Sequence, residues 1–391
     1  MSTDPQPIAT LNRILVVKLA DLGDAILATP AIGALRAAYP HAKIDVLTTP
    51  NGALAFRLCP ALDRIIEIDK HAFDDPRGMI HPANAVRMAR FIAKFRLARY
   101  DAIVLLQHLT TSFGARKYHW LCRAIGAPLR AGLDNGQGTF LTHRAVDYGF
   151  GVKSVYDYNL DVVAQLGVPT DEARPLIVIP EDAEHSARRL LDEHGVSGSY
   201  VVIHPSVGGY SSARNWPVER FAQIAHLIGS NSQCKVVLVG ADDAIDAAQT
   251  ICASSTVISL VGETSFAELG AVVSHAQLVI GSDSSITHLA AAAATPTIAI
   301  FGPSNHNAWK PYGSVVLGEN ITNLPNSSAF VVRSDIPCSP CFYSGYALGR
   351  REGCLLRTCL DRVSVDRVTQ IALQILDRNR SLENVTIPQP H

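Results

Sequence analysis

The stretch VIGSDSSITHLAAAAATPTIAIFGPS, residues 279–304, decides the architecture. It begins in a β-branched run, 277–280, and turns through Gly281, Ser282, Asp283 and Ser284. It continues as small residues at helical spacing over 285–294 and returns to an apolar run at 297–301. Strand, helix and strand in so short a space form the repeat of a parallel α/β layer. The alanines at 290–294 let such a helix pack closely on its sheet. Parallel sheets bind ligands beyond the carboxyl ends of their strands, so the turn is a candidate site. The amides of Ser284, Ser285 and Ile286 would point at an anion there. Asp283 reads either as a cap or as a functional carboxylate. His288, one turn further in, reads as a core histidine or as a ligand contact.

The same alternation runs in both directions from this unit. Strands are predicted at 200–204, 235–239 and 257–260, with helices at 217–228, 243–252 and 265–273. The first half offers strands at 13–19, 44–48, 65–68 and 102–106, with helices at about 24–38 and 84–99. A last helix, 363–377, precedes a tail ending IPQPH that is expected to be loose. These are two similar βα series without an internal sequence repeat. At about 150 residues per domain, a chain of 391 residues holds two or three. The polar segment 170–175 is the expected joint, giving domains 1–172 and 173–391.

Composition narrows the function classes. Hydrophobic residues are 48% and charged residues 18%, which supplies apolar surface for two cores. A net charge of -1 exerts no global pull on nucleic acid, so charge-driven binding must be local. The start, MSTDPQPIATLN, lacks the basic and apolar regions of a signal peptide. No apolar run approaches the roughly 20 residues of a membrane span. A cytoplasmic protein is expected, with peripheral contact to a membrane surface.

Three further segments carry chemistry. KLADLGDAILATPAIGALRAAYP, residues 18–40, follows the first strand. Gly23 would permit a tight turn, and Asp24 reads as a helix N-cap or as a general base. No GxGxxG stands there, which disfavours a dinucleotide-dependent dehydrogenase. IHPSVGGYSSARNWP, residues 203–217, either wraps an anion in backbone amides or is a flexible loop before a helix begun by Pro217. Ser211, Ser212 and Arg214 could add donors to a diphosphate. CSPCFYSGYALGRREGCLLRTC places Cys338, Cys341, Cys354 and Cys359 in a C-x2-C-x12-C-x4-C pattern. Such a set can enclose a structural zinc or iron; the other reading is four free thiols.

Acceptor-side features are less specific. Arg87, Arg90, Lys94, Arg96 and Arg99 form a basic helix that suits an anionic membrane, a phosphorylated acceptor or simply a solvated face. Gln107 and His108 end the next strand and are candidate acceptor contacts, with Arg116, Lys117 and His119 beside them.

Taken together, LADLGDAILATPAIGALRAAYP, HPSVGGYSSARNWPVERFA, VLVGADD, LVGETSFAELGAVVSHAQLVIGSDSSITHLAAAAATPTIAIFGPS and the cysteine knuckle resemble, in order, the inverting ADP-heptose:lipopolysaccharide heptosyltransferases of glycosyltransferase family 9. The resemblance covers about 12–370. It implies a GT-B fold, two Rossmann-like domains with mostly parallel sheets facing a central cleft, acceptor on the first and nucleotide sugar on the second. By that resemblance Asp24 matches the catalytic aspartate and Arg214 the basic residue of the donor phosphates. Ser211 and Ser212 fall in the phosphate loop, and Asp283 and His288 match the D-x-G-x-x-H donor motif. Ser285 departs from the glycine of that motif, which puts the donor's identity in question. The implied activity is metal-independent, inverting transfer of a sugar, heptose from ADP-heptose, to a lipopolysaccharide-type or other glycan acceptor. It would occur at the cytoplasmic face of the inner membrane, without nucleic acid. A GT-B protein acting on another nucleotide sugar, and a non-catalytic nucleotide-sugar-binding protein, are the alternatives.

Overall fold

The computed structural model describes residues 8, 10–68, 82–208, 211–319 and 323–385. The chain divides into two compact units, Met1–Val178 and Ile179–His391. The tail at 387–391 and the loop residues Gly209 and Tyr210 lie outside the described residues.

The first unit runs β1 (Arg13–Lys18), α1 (Leu22–Ile26), α2 (Thr29–Ala38), β2 (Lys43–Thr48), α3 (Pro50–Phe56), β3 (Arg64–Glu67), α4 (Pro82–Ala98), β4 (Ala102–Leu105), α5 (Ser112–Ile125), β5 (Leu129–Asp134), β6 (His143–Val146) and α6 (Val155–Ala164). Its sheet is parallel in the order β3-β2-β1-β4-β5-β6. Val17 pairs with Leu47 on one side and Leu105 on the other, so β1 is central and buried. Helices α4 and α5 pack on one face, where Phe95, Ala115, Cys122 and Ile125 meet Leu15, Val17, Ile103 and Leu105. Each fully buried large apolar side chain in such a layer contributes about 1.5–3 kcal/mol.

Local chemistry explains where this unit differs from expectation. The single helix expected at 24–38 is two, because Pro30 has no N–H to donate. The Ile26 carbonyl takes the Thr29 hydroxyl instead, at 2.8 Å. Strands β5 and β6 were not foreseen, since LRAGLD and HRAV carry charge and little apolar run. The boundary falls after Val178 rather than at 172/173. Leu176 N donates to Thr29 Oγ1 and Val178 N to the Leu58 carbonyl, which ties that segment to the first unit.

The second unit runs α7 (Glu181–Glu193), β7 (Tyr200–His204), α8 (Val218–Asn231), β8 (Lys235–Leu238), α9 (Ile245–Ser254), β9 (Ile258–Ser259), α10 (Phe266–Ser274), β10 (Leu278–Ser282), α11 (Ser285–Ala292), β11 (Thr297–Ile300), α12 (His306–Trp309), β12 (Val315–Leu317), β13 (Ala329–Val332), α13 (Thr358–Asp361) and α14 (Val365–Val385). Its parallel sheet has the order β12-β13-β11-β10-β7-β8-β9. β12 and β13 add an outer pair that Ser- and Pro-rich flanks had concealed. The β-strand order reverses between β1 and β4 in the first unit and between β7 and β10 in the second. At such a reversal neighbouring loops diverge to opposite faces and open a crevice at the carboxyl edge.

Candidate functional site

Each unit gathers its candidate residues at its own reversal. In the first, the loops after β1 and β4 are neighbours, and Leu106 N donates to the Val17 carbonyl. Asp24 is not the N-cap of α1. Asp21 holds that place without a side-chain cap bond, and Asp24 is the third helical residue. Gly23 likewise lies inside α1, outside the left-handed region, so no tight turn depends on it. The Asp24 carboxylate stands 3.5 Å from the ammonium of Lys18, the last residue of β1. Lys18 is buried and Asp24 partly open.

Gln107 and His108 follow β4. His108 Nδ1 donates to Asp147 Oδ2 at 3.1 Å, and its ring packs against Phe150 and edge-on to Tyr158. Burial pushes the Asp147 carboxyl up, but hydrogen bonds from His108 and the Gly149 amide outweigh it and hold it below the usual range. With Nδ1 engaged by Asp147, Nε2 is the ring nitrogen left to meet a ligand. His108 Nε2 and Gln107 Nε2 are buried without a hydrogen-bond partner among the described residues. Of the other candidates, Arg116 donates to the Ser112 carbonyl, Lys117 lies over the Phe113 ring and His119 stacks on Phe140. These three belong to α5 rather than to the His108–Asp147 pair. Lys18 and Asp147 were missed in the sequence because neither stands in a recognisable spacing.

In the second unit the loops after β7 and β10 meet. The Arg214 guanidinium donates to the carbonyl and the carboxylate of Asp283, at 3.0 and 3.3 Å, and to the Val207 carbonyl at 3.1 Å. Arg214 thereby joins the two loops and adds positive charge beside the start of α11. Ser284 is the N-cap of that helix, Ser285 its first residue, and His288 lies buried along it. Ser212 is exposed at the start of a 3-10 turn, Ser212–Arg214. Ser211 faces elsewhere. Its hydroxyl donates to the Arg351 carbonyl at 2.5 Å and accepts from Ala213 N, so it organises the loop rather than offering a proton to a ligand.

A buried chain of side chains lies behind this turn. Ser206 Oγ donates to Asp243 Oδ2 at 2.7 Å, His204 Nε2 meets Ser206 Oγ at 3.1 Å, and His204 Nδ1 meets Ser284 Oγ at 3.0 Å. Burial drives the His204 imidazole down to about 4, against a smaller opposing pull from Asp243. The ring is therefore neutral at pH 7. Only the fold brings these four residues together.

The cysteine segment buttresses the same edge. Cys341 N and Phe342 N donate to the Pro303 carbonyl, and Ser339 Oγ to the Gly302 carbonyl. Gly353, at φ +71, sits where a Cβ would stand 2.6 Å from Ala213 Cβ, so any side chain would force this packing apart. Cys338, Cys341 and Cys354 are exposed and Cys359 is buried. Burial, then Cys354 and Cys338, raise the Cys341 thiol. Burial and, more weakly, the other three thiols push Cys359 up to about 11. The four sulfurs thus lie in one electrostatic neighbourhood. Among the described residues no three His, Cys, Asp or Glu side chains are placed to hold a metal ion. No described helix is long and apolar enough to cross a membrane.

The comparisons with known proteins agree with this layout. The family described as glycosyltransferase family 9 (heptosyltransferase) matches residues 88–344. The chain is 30% identical over 304 residues to lipopolysaccharide heptosyltransferase 3 of Escherichia coli, covering 75% of this chain and 84% of that one. A glycosyl transferase family 9 structure from Veillonella parvula DSM 2008 superposes with a TM-score of 0.70 at 22% identity, covering 94% of this chain and 97% of that one. An E. coli structure described as ADP-heptose lps heptosyltransferase II superposes with a TM-score of 0.67 at 18% identity, covering 94% and 99%.

Proposed function

The chain belongs to glycosyltransferase family 9 and is a glycosyltransferase, and we propose that it transfers heptose from ADP-heptose, with inversion, to a hydroxyl of a lipopolysaccharide-type glycan. The observation that carries this reading is the meeting of Arg214 with the Asp283–Ser284 turn at the reversal between β7 and β10. A guanidinium and the first amides of α11 form a fixed positive surface for a diphosphate. They supply the charge stabilisation that a divalent cation would otherwise give the leaving group.

In the reaction, the acceptor oxygen attacks the anomeric carbon as the bond from that carbon to the diphosphate breaks. Asp24 takes the acceptor proton and ADP departs with the bond's electron pair. Gln107 and His108 supply buried nitrogens for acceptor hydroxyls. The domain roles follow: acceptor on the first unit, nucleotide sugar on the second. The C-x2-C-x12-C-x4-C spacing supports a structural zinc or iron with no part in the chemistry, although the four side chains as placed do not yet close on one ion.

Peripheral contact with the inner membrane surface fits α4 and α5. Their outer faces carry Arg90, Lys94, Arg96, Arg116 and Arg123 around the exposed Leu97, Phe113 and Trp120, and neither helix contains Asp or Glu. The side chain of Arg87 lies outside the described residues. Aromatic residues ringed by cations suit an anionic lipid surface.

Calorimetry with ADP-heptose and with UDP-, GDP- and dTDP-sugars tests the donor reading. Preference for ADP-heptose and transfer to a lipopolysaccharide core would support it. Preference for another donor would trace to Ser285, and binding without turnover would leave a nucleotide-sugar-binding protein.

A further inference from the structure

We propose that His204 is a positioning residue for the donor phosphates: it holds the Ser284 hydroxyl away from α11 and so keeps the first amides of that helix uncapped. The proposal rests on the donor reading of this turn.

Donor and acceptor bookkeeping fixes every proton in the chain behind the turn. The Asp243 carboxylate only accepts, so the Ser206 hydroxyl proton points at it. The Ser206 oxygen must then accept from His204 Nε2–H. That leaves Nδ1 bare, and it accepts the Ser284 hydroxyl proton. The Gly208 amide adds a second donor to the same Asp243 oxygen, at 3.1 Å, and so anchors the far end of the chain.

The consequence shows at the helix start. A serine or threonine N-cap normally accepts a hydrogen bond from an amide in the first turn. Thr49, Thr111, Ser154 and Ser265 all do so, accepting from Gly52, Gly114, Asp157 and Glu268. Ser284 has the extended cap backbone, φ -148 and ψ 167, yet makes no side-chain cap bond. Its hydroxyl is engaged by His204 instead. The amides a cap would have satisfied are left to whatever anion binds beside Arg214. Residues of the loops after β7 and β8 therefore act through the imidazole on the helix terminus that follows β10.

If His204 is the hook, removing it lets Ser284 swing back and compete with the ligand. Hydrogen–deuterium exchange of the α11 N-terminus in the ligand-free full chain reads this without any donor. His204→Leu should slow exchange at the first-turn amides. Calorimetry with ADP should show affinity about fivefold weaker, the equivalent of one N-cap bond. Adding Ser284→Ala to His204→Leu removes the competing cap and should return ADP affinity to that of Ser284→Ala alone. Should His204→Leu not fold, His204→Gln keeps the Ser206 side and loses the Ser284 side. It should show the same loss, whereas His204→Asn, which keeps an acceptor near the Nδ1 position, should not. Unchanged exchange and unchanged ADP affinity in His204→Leu or His204→Gln would overturn the proposal, as would a double variant as weak as the single one. Slowed exchange in a protein whose unmodified form fails to bind ADP would overturn the donor reading, and with it the phosphate role of His204.

Discussion

The ammonium of Lys18 stands 3.5 Å from the Asp24 carboxylate, the one side chain 4% exposed and the other 29%. The buried partner fixes the carboxylate's position, and the open side leaves room for a hydroxyl. Asp24→Asn keeps the shape and loses the base, so turnover should fall by about a hundredfold or more. ADP affinity, which depends on the second unit, should not change. Lys18→Met should lower kcat with ADP affinity likewise unchanged. Full turnover by Asp24→Asn would remove Asp24 from the chemistry.

Arg214 spans two loops with three acceptors, so its loss affects both charge and loop placement. Arg214→Ala should weaken ADP binding by roughly ten- to a hundredfold, the range for losing a charge-assisted hydrogen bond. Arg214→Lys should recover only part, because an ammonium lacks the planar fork that serves Asp283 and Val207 together. Undiminished ADP affinity in Arg214→Ala would place the phosphates elsewhere.

The buried His204 makes stability depend on pH in a definite direction. Its folded value is about 4 against 6.5 for the free side chain, so in that interval the unfolded chain binds more protons. Stability should therefore be fully present above 6.5 and fall as pH drops towards 4, by up to about 3 kcal/mol from this group. His306, also lowered to about 4 by burial first and Arg333 next, adds a loss of the same sign. Denaturant unfolding at a series of pH values should flatten in His204→Asn. An identical pH slope in that variant would show that His204 is not the group responsible.

The cysteine segment should bind about one zinc or iron ion per chain, measurable by elemental analysis of the purified protein. Replacing Cys338 and Cys341 with Ser should abolish the metal. It should also weaken ADP binding, since the segment holds Ser211 through the Arg351 carbonyl. A protein isolated far below one equivalent from metal-supplemented medium would reject the metal.

The α4–α5 surface should bind vesicles of anionic phosphatidylglycerol and release them at high salt, because each Lys or Arg near such a surface contributes about 1 kcal/mol. Phe113→Ala with Trp120→Ala should reduce sedimentation with vesicles while ADP affinity stays the same. Equal binding to uncharged phosphatidylcholine vesicles would contradict an electrostatic surface.

Much of the fold is legible in the sequence. Continuous β-branched runs such as VVIH and AIVL announced central strands, because a strand covered on both faces must be apolar throughout. Edge strands such as β6, with exposed Arg144, carry no such signal. That Asp24, Arg214 and Asp283 follow β1, β7 and β10 was readable from the strand pattern, whereas the place of Asp24 inside α1 was not. The role of Ser211 was not, because its partner Arg351 lies 140 residues away in sequence.

The amino-acid sequence by itself determined two α/β units, their central strands and the turns where ligands can meet backbone amides. These follow from periodicity and local turn chemistry, which act over a few residues. Tertiary structure alone decided that Lys18 faces Asp24, that Asp147 orients His108, and that His204 engages Ser284. Those pairings depend on the order of strands in the sheet. Strand order is set by which apolar faces bury against which helices, and no local pattern encodes it.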